Sequence, residues 1–163
     1  MAESLSTEVT IPVKHVKVVV NRPFDQVRDA FQAALPQLDD TVPTLLHAGN
    51  IDRARAALEA LPELSIFQSR NHGDVLKIAG LMRKALQYDI GNPNTASKMT
   101  RHQLAAAQYA PFRVVLYEDA EGRAVFEYDK PSSLFGQFGD PAVTAIAEGL
   151  DRALERAISQ AVG

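Results

Sequence analysis

The chain has 163 residues, 46% of them hydrophobic and 23% charged, with a formal net charge of -3, four histidines and neither cysteine nor tryptophan. That is enough apolar chain for one domain with a sizeable core, and the lack of cysteine excludes disulfides, thiol chemistry and Cys-ligated metal or iron–sulfur centres. Lys and Arg are scattered, without the basic footprint of a nucleic-acid binder, and no apolar run approaches the roughly 18 residues of a membrane span.

Met1 to Thr10 is polar and expected to be disordered; it carries an acid at Glu3 and no apolar core, unlike a secretory signal, so a cytoplasmic location is expected. Val13 to Val20 is Val-rich, alternating early and continuously apolar late, and reads as a strand. Asn21-Arg22-Pro23 opens a helix with apolar positions at Phe24, Val27, Phe31, Ala34 and Leu35, closed by Pro36. Thr44 to Gly49 reads as a short helical turn. Asn50 is placed to cap a helix over 51–61, with Ile51, Ala54, Leu58 and Leu61 on one face and Pro62 at its end.

Leu64 to Ser69 reads as a strand, Asn71-His72-Gly73-Asp74 as a turn, and Val75 to Ile78 as the return strand of a hairpin. Ala85 to Ile90 alternates and is a further strand. Asn92 or Asn94 caps a helix expected to run to about Gln108, where Pro111 forbids continuation. Ala110 to Tyr117 and Ala124 to Asp129 form a hairpin about a turn at Asp119 to Gly122, with Val114 and Leu116 facing one side and Arg113, Val115 and Tyr117 the other. Lys130 to Gly139 is expected to be an aromatic, glycine-flanked loop. Asp140-Pro141 then starts a long helix striped by Val143, Ile146, Ala147, Leu150, Leu154, Ile158 and Val162. The hairpin and this helix are read as the core of one α+β domain covering 1–163.

Three strings stand out: Tyr88 to Pro93 (Tyr-Asp-Ile-Gly-Asn-Pro), Ala110 to Glu118 (Ala-Pro-Phe-Arg-Val-Val-Leu-Tyr-Glu), and Glu127 to Asp140 with its Ser-Ser-Leu-Phe-Gly-Gln-Phe-Gly core. Together they resemble the bacterial domain-of-unknown-function family numbered 302, over roughly Leu64 to Val162 and loosely over the first strand and helix. The resemblance implies an antiparallel sheet with helices packed on one face, a two-layer sandwich often seen as a dimer, and it implies no activity. Many relatives carry Cys just before the Asn-Pro; here the residue is Gly91, so no thiol role carries over.

The residues point to a ligand-binding or accessory protein with a pocket between sheet and helices for a small apolar or anionic ligand. Asn92 heads a helix whose first turns carry Lys98, Arg101 and His102, and free N–H groups at a helix start attract anions. Asn92, Lys98 and Arg113 are the candidate anion contacts, His102 and Tyr128 the candidate hydrogen-bonding groups, and Phe135 and Phe138 the candidate lid or dimer contact. Three alternatives stand beside this reading. One is a small enzyme using His102 or Glu127 as general base, with Glu127 and Asp129 on one strand face and Arg113 opposite. One is a structural dimerisation module. One is a haem- or metal-binding protein through His72 or His102. No two histidines have metal-ligand spacing, so no metal ligand set is assigned and no cofactor is named. Ser132 and Ser133 near Lys130 lack any nucleophile elbow, and Gly136-x-x-Gly139 is too little for a phosphate loop.

Overall fold

The computed structural model describes residues 4–163. Met1 to Glu3, part of the stretch expected to be disordered, lie outside the described residues, and 4–14 run without regular secondary structure. The elements in chain order are β1 (His15–Pro23), α1 (Phe24–Ala34), α2 (Thr41–His47), α3 (Ile51–Glu59), β2 (Ser65–Asn71), α4 (His72–Leu76), β3 (Ala85–Gly91), α5 (Pro93–Thr100), β4 (Phe112–Glu118), β5 (Arg123–Asp129), α6 (Pro131–Phe135) and α7 (Pro141–Val162). The strands form one antiparallel sheet in the order β1-β5-β4-β3-β2. The first strand therefore pairs with the last, and the chain is α+β with the expected layering.

Strand alternation decides the two faces. On one, Val114, Leu116, Phe126, Tyr128, Tyr88 and Ile90 are buried against α1 and α7. On the other, His15, Lys17, Arg113, Val115, Glu127 and Asp89 remain on the open side, as a period of two requires. At the centre of the core, Phe31 of α1 meets Phe126 and Tyr88 with ring centroids 4.9 and 5.4 Å apart. The Tyr88 hydroxyl accepts from Gln32 Nε2 at 3.0 Å, which satisfies the polar tip of an otherwise buried ring. α7 begins where the sequence indicates: Asp140 accepts from the N–H groups of Ala142 and Val143, with Pro141 in the first turn. Its far end is tied to β1, because Arg22 Nη1 donates to the Val162 carbonyl at 2.8 Å.

Several elements differ from expectation. β1 begins at His15 rather than Val13 and extends to Pro23 through an irregularity after Val20. The Asn50 side chain makes no capping bond, and Ala54 is the one buried side chain of α3. Val75 to Ile78 is not a strand. Asn71 Oδ1 accepts from the Asp74 N–H and turns the chain straight into α4, and Lys77–Ala79 follow as a 3-10 turn closed by Gly80 at φ 72°. The helix expected to reach Gln108 stops at Thr100, where the N–H groups of His102 and Gln103 both bond back to the Met99 carbonyl. A 3-10 stretch, Leu104–Tyr109, then buries Ala106. The aromatic loop is partly helical, as α6 and a 3-10 turn at Gly136–Phe138. It is docked by Asp151 of α7, which accepts from both the N–H and the hydroxyl of Ser132.

Candidate functional site

Two neighbouring strand ends and the helix after the first of them define an apolar cleft. β3 ends in Gly91, Asn92 follows, and Pro93 opens α5 with its missing N–H at no cost. Asn92 is nearly buried: its Oδ1 accepts from the Thr95 N–H at 3.0 Å and its Nδ2 donates to the Pro62 carbonyl at 2.7 Å. Beside it, Tyr109 leads through the cis Ala110–Pro111 bond into β4. Between these segments lies a cleft of about 310 Å³. Ile90, Met99, Phe112, Phe135 and Leu150 give it an apolar lining, Phe67 and Tyr109 add aromatic walls, and Ala96 of α5 faces it. Two of its hydroxyls are engaged: Ser97 Oγ donates to the Asn94 carbonyl at 2.7 Å, and Thr100 Oγ1 to the Ser97 carbonyl at 3.4 Å.

Of the residues singled out from the sequence, Asn92 and Phe135 line this cleft. At Asn92 the Oδ1 and one N–H of Nδ2 are committed to local partners. The α5 start is also short of donors: Pro93 has none, the Thr95 N–H bonds to the Asn92 side chain and the Ala96 N–H to the Asn92 carbonyl. Phe135 is fully buried and packs against Tyr109 at 6.0 Å between centroids, so it forms wall rather than surface. Phe138 is half-buried and meets Tyr109 from another side at 6.3 Å. Lys98 and His102 are exposed and line none of the clefts described here; α5 ends between them, so the helix expected to carry both carries only Lys98. Tyr128 lies buried under the helices, where burial raises its hydroxyl pKa. Arg113 lies on the open side of the sheet, in a second, polar cleft of about 480 Å³ with Arg70, Gln87, Asp89 and Gln108.

Phe67, Met99, Tyr109 and Pro111 were not legible as site residues. Tyr109 offered the one usable signal, an aromatic next to a strand-opening proline at the end of an Ala-rich stretch.

On the open face a separate polar network surrounds Glu127. Its carboxylate accepts from Tyr117 Oη at 2.6 Å and His15 Nε2 at 3.0 Å, and Lys17 Nζ is 3.5 Å away. The Tyr117 hydroxyl, then His15, hold Glu127 below the ordinary carboxylate range. A carboxylate so stabilised is a poor general base near neutral pH. The cations around Glu127 come from β1, not from Arg113, whose register partner on β3 is Asp89. His15 was not singled out as a site residue from the sequence; it bridges Asp129 and Glu127, and both carboxylates, Asp129 first, raise its pKa.

The other sequence candidates have hydrogen-bond partners of their own. His72 donates to the Gln87 side-chain carbonyl at 3.1 Å. Among the described residues no three His, Asp or Glu side chains group to hold a metal ion. Lys130 Nζ pairs with Glu155 at 2.9 Å while Ser132 donates to Asp151, so the two do not form a Ser–Lys pair. Among the described residues no helix is long and apolar enough to cross a membrane.

The profile of the family described as domain of unknown function DUF302 matches residues 46–161. Among solved structures, the crystal structure of an uncharacterized conserved DUF302 protein from Bacillus stearothermophilus is similar, with a TM-score of 0.65 and 16% identity over 90% of this chain and 96% of that one. At that identity the likeness is one of fold. No curated protein matches the chain.

Proposed function

Because the chain belongs to the DUF302 family, which is defined by a domain of unknown function, we propose its role from its own cleft: it is a ligand-binding or accessory protein that takes a small apolar molecule between the sheet and the helices. The observation that carries this reading is the cleft at the end of β3, about 310 Å³ with an apolar and aromatic lining. That places it near the lower end of small-molecule sites, which begin at roughly 300 Å³ and are mostly apolar with few polar groups. Phe135 supports the site from within, and Asn92 fixes the α5 start that forms one side of it.

Calorimetric titration with 1-octanol tests the reading. Saturable binding at one site is expected in the wild type. Ala96→Phe, which sets a ring into the cleft, is expected to lower affinity at least about tenfold while unfolding remains cooperative. Binding that is absent, or that survives Ala96→Phe unchanged, overturns the reading.

On the same proposal the protein is bacterial and cytoplasmic, and it works as a homodimer. The Bacillus stearothermophilus neighbour supports the first. Exposed apolar side chains on the segment after β2, Ile78 at 89% and Met82 at 80% exposure, support the dimer.

A further inference from the structure

We propose that the ligand is an amphiphilic anion: its apolar body lies in the β3-end cleft and its carboxylate is held by Arg113 outside it. The inference rests on the cleft reading above and adds the chemical class of the ligand.

The first observation is adjacency. The apolar cleft and the polar cleft share one wall, the four residues Tyr109, Ala110, Pro111 and Phe112. A molecule seated in the first therefore reaches the second by passing over this single segment at the start of β4.

The second observation is what the apolar cleft lacks. No charged side chain lines it, and Asn92, Ser97 and Thr100 each bond to backbone partners, so little offsets the cost of burying an ionised head. A charged end must stay outside.

The third is what waits there. Two guanidinium groups, Arg70 and Arg113, face one carboxylate, Asp89, so the polar cleft has a surplus of one positive charge. Asp89 is already held by Arg70 at 2.8 Å, and Arg70 also donates to Gln68 at 3.0 Å. Arg113 sits opposite Asp89 in the strand register, yet among the described residues it makes no side-chain hydrogen bond and no ion pair. A free guanidinium presents a planar fork that matches a carboxylate in two-point contact, which an ammonium group does not. A cationic ligand finds only the committed Asp89, so the observations favour an anion.

The probes are octanoate and 1-octanol, which share a chain and differ in the head. In calorimetric titrations octanoate is expected to bind the wild type about tenfold more tightly than 1-octanol, the margin of a charge-assisted hydrogen bond. Arg113→Ala, a change at an exposed side chain, is expected to erase that margin and leave 1-octanol affinity as it was. Arg113→Lys restores part of it. If 1-octanol binds and octanoate binds no tighter, or if the margin survives Arg113→Ala, the amphiphile is overturned while the cleft stands. If neither probe binds, both fall together.

Discussion

At the scale of single residues, His15 shows how a surface group couples strands through its charge. Its two ring nitrogens contact Asp129 and Glu127, which raises its pKa above 6.5, while Tyr117 and His15 lower that of Glu127 below 4.5. The signs set the window. A raised histidine contributes stability that is full below about 6.5 and is lost as pH rises through its folded pKa. A depressed glutamate contributes stability that is full above about 4.5 and is lost as pH falls through its folded value. Both terms are present together between about pH 4.5 and 6.5. Melting curves of wild type and His15→Gln should therefore differ most in that window, and the gap should close on the alkaline side; a gap constant up to pH 9 would refute the assignment. Exposure keeps the effect small. Residue types alone marked Glu127 and Asp129 as neighbours on one strand face, but not the strand that supplies their cation. That depends on β1 crossing the length of the chain to pair with β5, which short-range spacing does not encode. Asn92 was legible as a cap for the opposite reason, since capping is local chemistry. Its second bond, to Pro62, was not.

At the scale of elements, local rules worked where an element's own pattern decides it and failed where a neighbour decides it. α7, with its Asp-Pro start and continuous stripe, and β4 and β5, with their alternation, are self-declaring. The segment after β2 is not. Val75 to Ile78 is apolar enough for a strand, but Asn71 caps a helix there, and Gly73 backs directly onto the Arg83 carbonyl and the Ala85 N–H with no room for a side chain. Gly73→Ala is expected to destabilise the fold by about 2 kcal/mol, because the new methyl meets backbone that yields poorly. Urea unfolding measures it, and a loss below about 0.5 kcal/mol would show that the β2–β3 connection gives way easily. The cleft residues fall in the same class: Phe67, Met99 and Tyr109 come from separate elements and converge only once the sheet order is known. At Gly91, by contrast, a Cβ would meet only ordinary contacts at 3.5 Å or more, so the cleft tolerates a larger residue there.

At the scale of the whole molecule, the proposed homodimer rests on the exposed apolar segment. Size-exclusion chromatography with light scattering should give twice the chain mass for the wild type and the single mass for Ile78→Asp combined with Met82→Asp; two identical masses would place the contact elsewhere or remove it. Sequence order and spatial order diverge most at the sheet's β1 edge. β1 has β5 as its strand partner, α1 packs on α7, and Arg22 reaches the last turn of α7. During synthesis the opening strand and helix therefore emerge from the ribosome long before the segments that cover them. Phe24, Val27 and Phe31 stay unprotected until β5 and α7 have emerged, so closure of the sheet is a late event and folding is slow relative to a chain of local contacts. The half-made forms, with this apolar face uncovered, are the ones most exposed to aggregation.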